Sequence, residues 1–232
     1  MPPLYNRRQP IFGKANEGEM DRGKQMSVRI ALGIVMLAVL TGCATSRSEI
    51  EVNVPQAAVK AAASNGKKVS ISAVDDRTFQ IKPKQADIPS LKNDEVNDKS
   101  ITERAIGRKR NAYGKGLGDV LLPSGRTVSG IVSEAVASAY RQAGYEVVTG
   151  PAAADATEVK VHIVEFWSWF SPGFWSVAVN NKAHLKIESQ AAPGLEVVTR
   201  KSDNMQAVTE NDWKEITEAG LQEITRETLG KL

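Results

Sequence analysis

The segment VKVHIVEFWSWFSPGFWSVAVNNKAHLKIE, residues 159–188, decides the fold that we predict for this chain. Apolar and polar residues alternate on both sides of Pro172-Gly173, which is the pattern of two strands joined by a turn. One face of the predicted hairpin is apolar, and it carries Val159, Val161 and Ile163 on the first strand and Val177, Val179, Ala183, Leu185 and Ile187 on the second.

Two amphipathic helices are expected beside this hairpin. The clearer one runs from Thr127 to Ala143, where apolar residues recur at helical spacing, and Gly144 suits the left-handed residue that often follows a helix end. The second runs from about Asn211 to Leu229, with a cap at Thr209 or Asn211. Its thin apolar stripe consists of Trp213, Ile216, Gly220, Ile224 and Thr228.

The remaining segments complete an α+β domain. Further strands are predicted at Lys68–Val74 and Tyr145–Val148, and one more strand or hairpin within residues 195–208. Residues 78–118 lack periodicity and form an irregular excursion, in which a strand near Ile106 or at Asp119–Leu122 is expected. This element order predicts two layers, namely an antiparallel or mixed sheet with a long hairpin and two main helices packed on one face.

An export signal precedes the domain. Arg29 is followed by the apolar run Ile30–Leu40, which is far shorter than the roughly 20 residues that a spanning helix needs. The run ends in a match to the bacterial lipobox, with cleavage residues Leu40, Thr41 and Gly42 and the lipid acceptor Cys43. We therefore expect residues 1–42, an upstream extension plus a signal peptide, to be removed and Cys43 to carry acyl chains such as palmitate.

The residues around the signal indicate where the mature protein lies. Because an Asp after the acceptor cysteine favours retention in the inner membrane, Ala44 favours the outer membrane, with the domain facing the periplasm. Residues 43–66 are rich in Ala, Ser and polar residues and are predicted to form a lipidated tether, and residues 67–232 a single periplasmic domain. The polar stretch 1–25 fits translation that begins at Met20 or Met26.

Charge and cysteine content exclude several classes of function. The chain has a net charge of +3, but residues 1–42 hold six Lys/Arg and three Asp/Glu, so the part from Cys43 onward has 24 of each. A neutral domain gives no reason to expect nucleic-acid binding. With its single cysteine lipidated, the mature chain has no thiol for a disulfide, a nucleophile or a thiolate metal site. No cofactor is indicated.

Residues 166–175 hold three of the four tryptophans and three of the five phenylalanines. Strand alternation places Trp167 and Trp169 on one face and Phe166 and Phe170 on the other, so a strand with one solvated face cannot bury both sets. Either residues 78–118 cover the tip, or it projects as a patch that binds a partner or the membrane. The candidate binding residues are Phe166, Trp167, Trp169, Phe170, Phe174 and Trp175.

Four polar groupings are weaker candidates for chemistry. A turn centred on Gly173 would set His162 opposite His184, which could hold a metal in part but lacks an evident third ligand. Asp75 and Asp76 could act as an acid–base pair, although a turn held by an ion pair with Arg77 fits better.

The loop Gly114-Lys-Gly-Leu-Gly118 lacks the strand–turn–helix order of a phosphate loop. The basic cluster of Arg104, Arg108, Lys109 and Arg110 could touch anionic glycan or lipid phosphate, or be a solvated loop.

Several short motifs follow one another along the chain. They are the lipobox, a first strand that ends in Val74-Asp75-Asp76-Arg77, a central helix that ends in Ala143-Gly144-Tyr145, a hairpin and a C-terminal helix. Together they resemble the YajG-like family of bacterial envelope lipoproteins over most of residues 43–232. The chain departs from that pattern by a longer excursion after Arg77 and a more aromatic hairpin tip. The resemblance implies an envelope lipoprotein and implies no reaction.

We therefore predict a non-enzymatic adaptor or accessory lipoprotein, anchored in the outer membrane through Cys43, that binds another envelope protein through its aromatic hairpin tip. Two alternatives stay open at this point. One is a lipid- or small-ligand-binding module whose aromatic rings line a pocket. The other is an envelope hydrolase, which would need a nucleophile or an acid pair.

Overall fold

The computed structural model of the chain describes residues 46–55, 63–111, 113–150, 154–173, 175–189, 194–206 and 208–232. Its strands are β1 (Ser48–Glu49), β2 (Lys68–Asp75), β3 (Ala105–Arg110), β4 (Gly116–Leu121), β5 (Glu146–Val147), β6 (Thr157–Pro172), β7 (Val177–Ser189) and β8 (Leu195–Met205). Its helices are α1 (Lys99–Thr102), α2 (Val128–Gln142) and α3 (Glu210–Leu229), and a short 3₁₀ helix spans Asn93–Asn97.

The eight strands of the described residues form one mixed sheet that forks at β6. Along one edge β6 pairs with antiparallel β7, which in turn pairs with β8. Along its other edge β6 pairs first with parallel β2 and, further along at Ser168, with parallel β3. β5 continues the arm beyond β2, and β4 and β1 continue the arm beyond β3. The predicted long hairpin is therefore the element that both arms share.

Helices α2 and α3 pack against each other and against one face of the sheet. The Thr225 hydroxyl of α3 donates to the Ala135 carbonyl of α2 at 3.0 Å, and the apolar stripes predicted for both helices are buried. Thr127 caps α2 by accepting from the backbone N–H of Gly130. The α+β class, with a mixed sheet and two main helices on one face, is confirmed.

Residues 46–55 differ from the predicted tether. β1 pairs in parallel with β4, and Ile50, Val52 and Val54 are buried in the core between the sheet and the helices. The tether prediction is therefore wrong for this stretch. Its apolar residues alternate with polar ones, which is typical of an extended segment that packs against a core. Cys43 and the signal residues 40–42 lie outside the described residues.

The excursion covers part of the sheet face opposite the helices. The strands expected near Ile106 and at Asp119–Leu122 both form, as the antiparallel pair β3 and β4. The segment before β3 lies across the open face of β6, where Phe79, Leu91 and Ile101 join a second apolar cluster with the rings of β6.

Arg77 fills the notch where β2 leaves the edge of β6 and β3 takes its place. Its side chain is 0% exposed. Its Nη1 donates to the carbonyls of Ala105 (2.6 Å) and Phe166 (3.1 Å), and its Nη2 to that of Thr102 (2.8 Å). Both carboxylate oxygens of Asp75 accept from the guanidinium at 2.7 Å. The predicted Asp–Arg turn is confirmed, and it also ties the two arms of the sheet together.

Replacing Arg77 by Lys should lower the free energy of unfolding by roughly 3–5 kcal/mol. A lysine ammonium cannot reach this planar set of acceptors, so buried carbonyls and a carboxylate lose their donors. The control is Arg226→Lys, because Arg226 pairs with Glu223 on the surface of α3 with its side chain 68% exposed. The control should cost less than about 1 kcal/mol. Urea titration of both variants measures the difference, and equal costs would contradict the role assigned to Arg77.

Candidate functional site

A β-bulge at Val164 decides which side of the sheet each aromatic ring faces. Ile163 pairs with Leu185, but the next pair is Glu165 with His184, so two residues of β6 oppose one residue of β7. One extra residue reverses the alternation of the strand. Before the bulge the odd-numbered residues of β6 face the helices, and after it the even-numbered residues do.

The rings on the helix side belong to the main core. Phe166 is fully buried there. Phe170 is partly buried and meets Trp213 of α3 edge to face, with ring centroids 6.2 Å apart and an interplanar angle of 74°. The contact between Phe170 and Trp213 therefore fastens α3 to the part of the hairpin near its turn.

The rings on the other side lie under the excursion. The Trp167 indole N–H donates to the carbonyl of Ala86 at 3.3 Å, and Phe79 meets the same indole edge to face at 6.0 Å. The Arg200 guanidinium lies 5.0 Å from the centroid of the Trp169 ring. Of the two alternatives left open by the sequence, cover by the excursion is what the structure shows. Phe166, Trp167 and Trp169 are core residues here and offer no surface to a partner.

The turn of the hairpin is where an aromatic ring reaches solvent. Trp175 is 84% exposed, and the backbone N–H of Gly173 donates across the turn to the Ser176 carbonyl at 2.9 Å. Phe174 lies outside the described residues. The sequence-predicted contact patch is thereby reduced, among the described residues, to the exposed Trp175 and the partly buried Phe170.

The hairpin turn shares one end of the sheet with the loop between β3 and β4. β3 runs parallel to β6 with Gly107 beside Ser168, so both strands end on the same side. The loop after β3 carries Tyr113, which is 95% exposed.

The described chain also begins at this end. β4 starts there, because Gly116 pairs with Arg110, and β1 runs parallel to β4. The backbone of Ser46 lies so close to the Cα of Gly118 that a Cβ there would collide with it. We call this side of the sheet, which holds Ser46, Tyr113 and Trp175, the turn end.

The two histidines do not face each other, so the predicted pairing is wrong. His162 pairs with Lys186, because the turn spans residues 173–176 and its centre is displaced from Gly173. The position of the turn alone sets His184 opposite Glu165, and the bulge at Val164 then moves the partner of His162 by one residue, to Lys186. Instead, His162 Nδ1 bonds the carboxylate of Asp76 at 2.6 Å, and His184 Nε2 bonds that of Glu196.

The carboxylates at the end of β2 form hydrogen bonds within the protein. Asp75 holds Arg77 and Asp76 holds His162. Across the described ranges, no group of three or more His, Cys, Asp or Glu side chains could hold a metal ion. In the same ranges no helix is long and apolar enough to cross a bilayer.

The structure separates the predicted basic cluster. Arg104 donates to the Leu122 carbonyl at 2.8 Å and pairs with Glu49. Lys109 donates to the Ser48 hydroxyl at 2.6 Å. Arg108 and Arg110 alternate with Lys109 and lie on the side of the excursion, where Arg110 donates to the Ser90 hydroxyl at 2.6 Å. In the glycine-rich segment Gly114–Gly118, residues 116–118 belong to strand β4, so the segment is in part a strand.

No family model and no curated protein matches the chain. Among solved structures, the chain is similar to an uncharacterized protein, with a TM-score of 0.43 and 9% identity over 81% of this chain and 97% of that one. It is similar to a DUF330 protein from Xanthomonas campestris, with a TM-score of 0.42 and 9% identity over 81% and 92%. A minor lipoprotein from Acinetobacter baumannii has a TM-score of 0.32 and 14% identity over 43% and 84%. All three TM-scores are below 0.5, and the resemblance to the YajG-like family stays a prediction.

The burial of three tryptophans and the exposure of one predict two classes of fluorescence. Trp167, Trp169 and Trp213 are buried and Trp175 is exposed. We expect a mainly blue-shifted spectrum with a minor red-shifted fraction that acrylamide quenches, and Trp175→Phe should remove that fraction. Trp213→Phe is the control, because it removes a buried ring and should leave the quenchable fraction in place. Quenching of most of the native emission would contradict the cover of β6 by the excursion.

Proposed function

We propose that the chain is a non-enzymatic lipoprotein of the bacterial envelope, anchored in the outer membrane through Cys43, that binds another envelope protein at the turn end of its sheet. The observation that carries the proposal is the position of Ser46. The chain reaches the turn end only three residues after the lipobox cysteine. Three extended residues span about 11 Å at most, so a lipid on Cys43 would hold the turn end close to the membrane.

This placement narrows the class of partner. Trp175 is at the turn end and is 84% exposed, and exposed tryptophan is enriched both at interaction hot spots and at membrane interfaces. A surface held beside the membrane is available to proteins that are embedded in that membrane or lie on it. We therefore propose an outer-membrane protein as the partner.

The two alternatives have less support. A ligand pocket lined by the hairpin aromatics would need open rings, but Phe166, Trp167 and Trp169 are buried against the protein. A hydrolase would need an available acid pair, but Asp75 is occupied by a buried guanidinium. An adaptor needs only an anchor and a surface.

With residues 1–42 exchanged for a signal peptide that is cleaved without lipidation, replacing Cys43 by Ser should move most of the protein from the membrane fraction to the soluble periplasmic fraction, because the acyl chains supply the stable attachment. Membranes are washed in about 1 M salt, where the screening length falls to about 3 Å and electrostatic adhesion is lost. Ala44→Asp is the companion variant, which should keep membrane attachment and shift the protein to the inner membrane. Full retention of Cys43→Ser after the wash would disprove the lipid anchor.

A photo-crosslinking residue at position 175 should capture one outer-membrane protein in living cells, since the exposed ring contacts the partner directly. The control is the same residue at position 160, because Lys160 is exposed near the start of β6, at the other end of the sheet. Mass spectrometry identifies what is captured. Crosslinks to lipid alone would refute a protein partner, and identical captures from both positions would show that contact is not specific to the turn end.

A further inference from the structure

A basic pocket of about 350 Å³ opens between the excursion and the β3–β4 hairpin. Its cations come from three separate segments of the chain, and they are Lys82, Lys92, Arg108, Arg110 and Lys115. No Asp or Glu is among the described residues that line it. Five like charges around one concave space raise the local positive potential, which attracts an anion.

One buried carboxylate, that of Asp119, compensates part of the positive charge of the pocket. Arg108 Nε lies 3.6 Å from the nearest carboxylate oxygen of Asp119, and the same carboxylate pairs with Arg47 at 3.0 Å. Nε and Nη1 of Arg108 and Nε of Arg110 are shielded from solvent and have no hydrogen-bond acceptor among the described residues. Burial, and after it the charge of Arg108, lowers the pKa of the Arg110 guanidinium.

The fold positions the two arginines differently. Arg108 lies against Gly116, where a Cβ would come within 2.5 Å of its Nε and 2.6 Å of its Nη2, so a larger residue there would displace the guanidinium. Arg110 is fixed by the Ser90 hydroxyl at 2.6 Å and by the Gly114 carbonyl at 2.9 Å. Groups that are ordered before binding lose little freedom when a ligand arrives.

The location of the pocket indicates which anion it meets. Gly116 is two residues from Gly118, against which Ser46 lies, so the pocket is at the turn end. Its lining also includes the exposed apolar side chains of Ile81 and Tyr113. Cations beside exposed apolar groups suit the boundary between lipid headgroups and acyl chains.

We propose that this pocket binds the phosphate group of a membrane lipid beside the anchor. Guanidinium forks match phosphate oxygens, and lysines at the rim add attraction to an anionic surface. The choice of a lipid as the source of the phosphate rests on the proposed anchoring at Cys43. The site would set the orientation of the domain on the membrane, which a lipid on a single residue leaves free.

The test measures binding to vesicles in the absence of the protein's own lipid. It uses residues 43–232, which form a compact unit, with Cys43→Ser, and compares vesicles containing phosphatidylglycerol with vesicles of phosphatidylcholine. The pocket variant is Lys82→Gln with Lys115→Gln, and the matched control is Lys160→Gln with Lys186→Gln. All four lysines are exposed, so folding is not at risk.

The pocket variant should lower the partition coefficient on anionic vesicles by about tenfold or more, as expected for two lysines near the surface. The control should lower it by less than about twofold, because its charges lie beyond the screening length. Equal losses would overturn the proposal in favour of general charge attraction. No preference of the parent chain for anionic vesicles would also overturn it.

A variant that keeps the net charge distinguishes binding in the pocket from general electrostatic attraction to the vesicle. Gly116→Ala should displace Arg108 and lower vesicle binding, whereas Gly230→Ala, where the nearest atom to a new Cβ is 3.6 Å away, should not. The opposite result is that inorganic phosphate raises the midpoint of thermal unfolding of the domain while the domain binds no vesicles. That result would assign the site to a soluble phosphate and overturn the lipid source. The chain used in the vesicle test carries Cys43→Ser and therefore has no acyl chains. Its binding to vesicles is thus independent of the outcome of the membrane fractionation.

Discussion

The buried guanidinium of Arg77 is the interaction on which the rest of the structure depends. At the fork of the sheet, β6 loses β2 as its neighbour before β3 joins it, and carbonyls on both sides of that gap need donors. Arg77 supplies them to Ala105 and Phe166, while Asp75 balances its charge. A planar fork of donors does this where a lysine cannot. Arg77 thereby joins the start of β3, at Ala105, to β6, at Phe166.

A second constraint acts on the same strand. The bulge at Val164 puts Phe166 on the helix side and sends Trp167 to the face that the helices leave open. Large indoles on an open face must be covered, and the excursion covers them with Phe79 and the carbonyl of Ala86. This explains why a long segment without strand or helix periodicity stays close to the sheet: it caps the second face of β6 and is held there by burial of apolar surface.

These constraints bring three separate features to one end of the molecule. The described residues begin at Ser46, the excursion and β3 form the basic pocket, and the hairpin turn carries Trp175. Under the function proposed above, each would act on the membrane side in a different way. The lipid would supply attachment, the cations would select phosphate, and the exposed ring would meet the partner. None of the three needs catalytic chemistry, which fits a domain whose carboxylates at β2 are used to hold its own turn together.

Periodicity along the sequence was sufficient to predict α2, α3, the long hairpin and the α+β class, because both 3.6-residue and two-residue spacing are local properties of the chain. The Asp75–Arg77 ion pair was also predictable, since its partners are neighbours. The lipobox, likewise, is read from adjacent residues.

The burial of the aromatic residues was not predictable, because it depends on one bulged residue and on a cover supplied from far away in the chain. The histidine pairing failed because the turn lies after Gly173 and the bulge shifts the register by one residue. Residues 46–55 were misassigned because their pairing partner, β4, is far away in the sequence. Only tertiary structure could gather Lys82, Arg108 and Lys115 around one pocket, since long-range contacts, and not local spacing, decide which cations share a space.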